Sequence, residues 1–143
     1  MQVDETTALA VAIASLKKRK RYPDPITLAQ SVKYLVELYG SQQKVADILD
    51  VSDSTIQIWT KIAELPAEFQ EYIRDDRIKP VAAYNIASRL QDREEQLEVA
   101  RAVLGWPENE IVRVLKYKRQ NPKLSIEECK QKVIAESLSY LIR

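Results

Sequence analysis

Residues 42–61 read QQKVADILDVSDSTIQIWTK, and their spacing is that of a helix-turn-helix, a helix pair whose second member is shaped to enter the major groove of DNA. Ala46 puts a small side chain where two helices must approach closely, between the apolar Val45 and Leu49. Val51, Ile56 and Trp59 recur where the second helix has to turn its buried face back onto the first. Asp50 fills the turn position that needs a left-handed backbone; glycine is usual there, and aspartate is among the few other residues that tolerate it. Ser52 is placed to cap the second helix by accepting a bond from a free backbone N–H two or three residues on.

With Ile56, Trp59 and Ile62 or Ala63 packed inward, the 3.6-residue period leaves Asp53, Ser54, Gln57, Ile58 and Lys61 on the outer face. Gln57 can contact adenine with both ends of its amide, Ile58 suits a thymine methyl, and Ser54 and Thr55 carry hydroxyls within reach of phosphate or a base edge. Asp53 would be repelled by phosphate unless it accepts from a cytosine amino group; its other role is to complement the positive end of the helix dipole. Gln42 opens the first motif helix, where its side chain and the free N–H groups can hold a phosphate. The same small and apolar intervals would also serve an ordinary αα-hairpin. Between residues 42 and 64, Asp47, Asp50, Asp53 and Glu64 outnumber Lys44 and Lys61, so the presumed reading unit is slightly acidic.

The whole chain has 143 residues, 22 Lys plus Arg, 21 Asp plus Glu and no His. That length supports one compact domain, or one with an appended helix, without disulfides or metal. Cys129 is the only cysteine and cannot form an internal disulfide. The absence of His beside a lone Cys removes most zinc sites, nucleophilic triads and His-based acid–base pairs, so no enzymatic activity, metal or cofactor is expected. Gly40 and Gly105 are the only glycines, which excludes a Gly-rich phosphate-cradling loop. No N-terminal apolar run resembles a signal peptide or membrane span, so a soluble, cytoplasmic chain without membrane association is expected. The charges are segregated. Lys17, Lys18, Arg19, Lys20 and Arg21 form an unbroken basic run, either a solvated helix end or a phosphate or minor-groove contact. Arg113, Lys116, Lys118, Arg119 and Lys123 form a second cluster with no acid among them, which reads more readily as a solvated face.

Helical periodicity dominates and strand-like alternation is nowhere sustained, so an all-α, multi-helix fold is predicted. An apolar stretch over 7–16 runs into the basic block and is stopped by Tyr22-Pro23-Asp24-Pro25. Thr27 can cap the next helix, whose stripe is Leu28, Val32, Leu35, Val36 and Tyr39, with Gly40 as its stop. Beyond the motif, Pro66, Pro80 and Pro107 are read as first helical residues. They open helices over 66–75 (Phe69, Tyr72 and Ile73 inward), 80–90 (Val81, Tyr84, Ile86 and Ala87 inward) and from 107 (Ile111, Val114 and Leu115). A helix over 93–104, ended by Gly105, lies between the last two. The final helix starts at Ser125 and Glu128, which have capping-box spacing, and carries Ile126, Val133, Ile134, Leu138, Leu141 and Ile142. Trp59 reads as core, Trp106 as a hydrophobic staple before Pro107, and Cys129 as a small buried hydrophobe. The expected organisation is 1–22 as an N-terminal helix and basic segment, 23–120 as the DNA-binding domain, and 121–143 as a C-terminal helix whose apolar face either pairs with its counterpart in a second chain or docks onto its own domain.

The run SQQKVADILDVSDSTIQIWTKIAELPAEFQEYIRDDRIKPVAAYNIASRLQDREEQLEVARAVL, residues 41–104, resembles the central DNA-binding domain of the ParB/KorB partition proteins. As in that family, a helix with a Tyr-Gly end precedes the motif, the second motif helix opens Ser-x-Ser-Thr-apolar at Ser52 to Ile56, and Leu65-Pro66 starts the next helix. An Ala-rich helix at Lys79 to Ala87 and an acid-rich opening with a Gln-Leu pair at Glu94 to Leu97 follow; the resemblance spans residues 25–115. It implies binding to a short, usually palindromic site in double-stranded DNA, with flanking helices adding contacts, in plasmid or chromosome partition or in transcriptional repression. It also implies a homodimer associated with nucleoid or plasmid, and makes a partition ATPase a candidate partner. Contact at the motif would fall to Gln42, Ser52, Asp53, Ser54, Thr55, Gln57, Ile58 and Lys61, with Lys17, Lys18, Arg19, Lys20 and Arg21 supplying salt-sensitive attraction. Two departures limit the carry-over. The amino-terminal CTP-binding domain with its Arg-rich motif has no counterpart, so a nucleotide-gated clamp is not expected, and Asp53 stands where many relatives carry a basic residue. The competing reading, from the acidic balance of the motif, is a helical protein–protein adaptor that does not bind DNA.

Overall fold

The computed structural model describes residues 4–17 and 24–142, with side chains described for 4–16 and 24–139. All regular structure among them is helical, as predicted. α1 (Glu5–Ala12) passes into a π-helical turn (Ile13–Lys17), and α2 (Pro25–Tyr39), α3 (Gln42–Leu49), α4 (Asp53–Ala63), α5 (Ala67–Arg74), α6 (Pro80–Arg89), α7 (Arg93–Ala102), α8 (Glu108–Gln120) and α9 (Ile126–Ile142) follow. The chain divides into two compact units, Met1–Asp76 and Arg77–Arg143. The segment 23–120, read from sequence as one DNA-binding domain, therefore runs through both.

In unit 1, α2 is the central helix and packs on α1, α3, α4 and α5. Leu28, Val32 and Leu35 of α2 share a core with Ala8, Val11 and Ala12 of α1, Val45, Ala46 and Leu49 of α3, and Ile56 of α4. Val36, Tyr39, Val51 and Trp59 close over it, partly buried. Gly40 ends α2 at φ 92°, in the left-handed region where the missing Cβ removes the strain.

The start of α2 differs from expectation. Its cap is Asp24, not Thr27, and Pro25 is the first helical residue. The Asp24 carboxylate accepts from the backbone N–H groups of Ile26 (3.0 Å) and Thr27 (3.4 Å) and from the Thr27 hydroxyl (2.8 Å), and Arg74 of α5 donates to it at 3.3 Å. Partial burial pushes the carboxyl up, but these hydrogen bonds and the Arg74 charge outweigh it and hold the group below the usual range. A carboxyl with a folded pKa below its unfolded one adds stability above the unfolded value and loses it as pH falls through the folded value. Asp24→Ala is expected to destabilise unit 1 by about 0.5–2 kcal/mol at neutral pH. The gap between wild type and variant in urea melts should close as pH drops below the ordinary carboxylate range; a gap that widened in acid would contradict the assignment.

Unit 2 is built from α6 to α9. α8 packs on α6 and α9, and α7 on α6 and α9. Ala82, Ile86, Val99, Val103, Ile111, Val114, Leu115, Ile126 and Val133 are buried. Cys129 is fully buried, as expected of a small hydrophobe. The reciprocal capping box forms: Ser125 Oγ accepts from the Glu128 N–H at 3.1 Å, and a Glu128 carboxylate oxygen accepts from the Ser125 N–H at 3.3 Å.

Several local expectations are corrected. Pro80 is the first residue of α6, but Pro66 and Pro107 sit one position earlier, as caps, because their ψ angles of 150° and 149° are extended rather than helical. Val81 faces solvent while Ala82 and Ala83 are buried, a small shift in helical phase. α7 ends at Ala102, and Gly105 belongs to the left-handed turn after it (φ 78°), its N–H donating to the Arg77 carbonyl at 3.1 Å. On α9, Ile126 and Val133 are buried while Ile134 and Leu138 are exposed. The side chains of Leu141 and Ile142 and those of the basic run at Lys17, Lys18, Arg19, Lys20 and Arg21 lie outside the described residues.

Candidate nucleic-acid interface

The turn between α3 and α4 forms as its sequence requires. Asp50 adopts φ 57°, ψ 48°, so its N–H reaches the Asp47 carbonyl (3.3 Å) and the Val51 N–H reaches back to the Ala46 carbonyl (3.0 Å). This pair of bonds is a Schellman closure, and it satisfies carbonyls at the end of α3 that would otherwise lack partners. Ala46 is 2% exposed, as a close crossing of α3 with α4 demands. α3 itself is capped by Ser41, whose hydroxyl accepts from the Lys44 N–H at 3.2 Å, and Gln42 stands half-buried in its first turn.

Ser52 caps α4. Its hydroxyl accepts from the Thr55 N–H (3.3 Å) and shares a hydrogen bond with the Thr55 hydroxyl (3.0 Å). These two candidates are brought together and partly occupied by each other. The inner face of α4 is Ile56 and Ile62, both fully buried. On the outer face Asp53, Ser54, Gln57 and Lys61 are exposed and Ile58 is half-buried. Gln57 and Lys61 are one turn apart, about 6 Å along the axis, on one side of the helix. Among the described residues neither has a hydrogen-bond or ion-pair partner. Their polar ends face water and remain available to a ligand.

One supporting residue was not anticipated. The Gln70 side-chain amide of α5 donates toward the carbonyls of Ile62 (3.4 Å), Ala63 (3.1 Å) and Leu65 (3.1 Å), fastening the C-terminal end of α4. Helix C-termini leave carbonyls unpaired, and an amide from the following helix fills that need. The acids flanking the motif remain at the surface: Asp47 accepts from Gln43 at 3.0 Å, and Asp50 and Asp53 are exposed.

In the second basic cluster the cations differ in role. Arg113 donates to Glu110 (3.2 Å) and to Glu136, and the hydrogen bond it gives the Glu136 carboxylate pushes its pKa further up. Lys118 donates to the carbonyls of Pro122 (3.0 Å) and Leu124 (2.6 Å). Lys116, Arg119 and Lys123 are exposed. Trp106 precedes α8 with the Lys130 ammonium 5.3 Å above its ring centre.

Among the described residues no three His, Cys, Asp or Glu side chains come together as a metal site. None of the helices in the same set is long and apolar enough to cross a membrane. The sequence matches the family model described as the ParB HTH domain over residues 23–123. No curated protein matches the chain.

Proposed function

Because the chain belongs to the ParB helix-turn-helix domain family, we propose that it binds double-stranded DNA at a specific sequence, in plasmid or chromosome partition or as a related repressor. The observation that carries this reading is the outer face of α4, where Gln57 and Lys61 stand exposed on a helix anchored from behind by Ile56 and Ile62. Gln57 is assigned to adenine, and Lys61 to phosphate or to guanine. Ser54 and Ile58 read neighbouring base edges, and Gln42 holds a phosphate at the start of α3. Ser52 and Thr55, bonded to each other, set the entry of the helix. Asp53 is assigned to the helix dipole or to a cytosine amino group. No catalytic step and no cofactor belong to this function, and its place is the nucleoid or plasmid in the cytoplasm.

A palindromic site calls for a dimer, and the exposed Ile134 and Leu138 of α9 give such a dimer an apolar surface. A partition ATPase is the further partner this role would bring. Selection of bound sequences from a random duplex pool, with a salt titration on the winner, tests the reading. The expected outcome is one enriched short site whose log affinity falls linearly with log salt. No enrichment and no duplex binding even at low salt would favour the helical adaptor instead, a role that the exposed Asp47, Asp50 and Asp53 would suit.

A further inference from the structure

The two ends of α4 are fastened differently. At its start the Asp50 turn and the Ser52 cap join it to α3. At its end the chain closes two carbonyls by itself: the Glu64 N–H donates to Lys61 (3.1 Å) and the Leu65 N–H to Ile62 (3.2 Å). The next residue is Pro66, which has no N–H to return to the helix. Carbonyls at a helix end then need a donor from elsewhere. The Gln70 amide nitrogen supplies it to Ala63 and Leu65, both at 3.1 Å, and more distantly to Ile62. Gln70 is half-buried on α5, a helix anchored by the buried Phe69 and Ile73 and packed on α2. One turn further along α5, Arg74 bonds Asp24 at the start of α2. The end of the reading helix is thereby tied to α5, and α5 to the central helix.

Apolar burial of Ile56 and Ile62 holds α4 down without fixing its direction, because that force is non-directional. Hydrogen bonds are directional and set an orientation. The orientation matters because the reading residues lie far along the helix. At 1.5 Å per residue Gln57 is about 7.5 Å beyond Ser52 and Lys61 about 13.5 Å, so a tilt of about 5° at the start moves them by about 0.7 and 1.2 Å. Recognition geometry tolerates only about 0.5 Å. Attraction to phosphate falls off more gently with distance and survives such a shift.

We propose that Gln70 is a positioning residue for DNA recognition: by donating to the carbonyls that end α4 it fixes the tilt of that helix, and with it the selectivity for one sequence. Gln70 itself touches no base. The proposal rests on the reading of α4 as the DNA-contacting helix.

Three full-length variants test it against wild type, each on the selected duplex and on a random duplex. Gln70→Met keeps the length and removes the donor. Gln70→Glu offers the carbonyls only an acceptor, and Gln70→Lys restores a donor of the kind that suits a helix C-terminus. Thermal melts fix a temperature at which every variant is folded, and the ratio of selected to random affinity cancels the charge that Glu or Lys adds. The ratio should fall by at least about 5-fold in the Met variant, the lower end of what one bidentate base contact is worth. It should fall at least as far in the Glu variant and stay near wild type in the Lys variant. Affinity of the Met variant for random duplex, and its salt slope, should match wild type.

A wild-type ratio in the Met variant would reduce Gln70 to a structural cap and overturn the proposal, as would a Lys variant that loses as much selectivity as the Met one. Equal losses on selected and random duplex would overturn it too. In each of these cases the reading of α4 stands as long as Gln57→Ala with Lys61→Ala weakens binding to the selected duplex. A wild-type chain with no duplex binding at low salt would overturn both.

Discussion

Replacing Ile56 by alanine is expected to lower the stability of unit 1 by about 2–5 kcal/mol. Ile56 is fully buried where the inner face of α4 meets α2 and α3. The substitution deletes three carbons, which at about 0.8 kcal/mol per buried methylene accounts for roughly 2.4 kcal/mol. The rest is the cavity, because Ala46 and Leu49 on one side and Val32 and Leu35 on the other are fixed by their own helices and can close in only partly. Against a typical total of about 5–15 kcal/mol for a domain, the loss would leave a large unfolded fraction in mild urea. The urea midpoint measures it. Ile56→Val should cost only about 0.5–1.5 kcal/mol, and an alanine variant no worse than the valine one would contradict the packing described.

The second large effect is on binding. Gln57→Ala combined with Lys61→Ala is expected to weaken affinity for the selected duplex by about 1–3 kcal/mol for the lost base contact, roughly 5- to 150-fold. The salt slope should fall by about one further contact if Lys61 meets a phosphate. Both side chains are exposed and unpaired among the described residues, so stability should stay within about 0.5 kcal/mol of wild type. Undiminished affinity for the selected duplex in this double variant would remove α4 from the interface. Ile56→Ala should lower stability through a side chain that does not meet DNA, and the double variant should weaken binding with stability kept; a role for α4 as a reading helix requires both.

What could be read from the sequence was largely what is encoded within four or five residues. The left-handed Asp50, the Ser52 cap, the Gly40 stop and the Ser125–Glu128 box are each specified by a residue type and a near neighbour, and each forms. The division of α4 into an inner and an outer face followed from its period alone. Contacts between elements were not legible. Gln70 serves α4 because α5 returns against its end, and Arg74 reaches Asp24 across 50 residues of chain. The partners that neutralise Arg113 include Glu136 on α9, which only the packing of α8 on α9 brings near. Boundary errors had a smaller cause. At Pro66 and Pro107 a fixed φ suits a cap as well as a first helical residue, and ψ, which decides between them, is not set by the ring.

The two tryptophans fall one to each unit, Trp59 against the core of unit 1 and Trp106 under Lys130 in unit 2. The lone thiol, Cys129, is fully buried in unit 2, and burial pushes its pKa up, so a labelling reagent gains the reactive thiolate mainly when that unit opens. Labelling kinetics therefore follow unit 2 alone, while fluorescence from the Trp106→Phe variant follows unit 1. The chain carries built-in reporters for asking whether its halves melt together or one after the other.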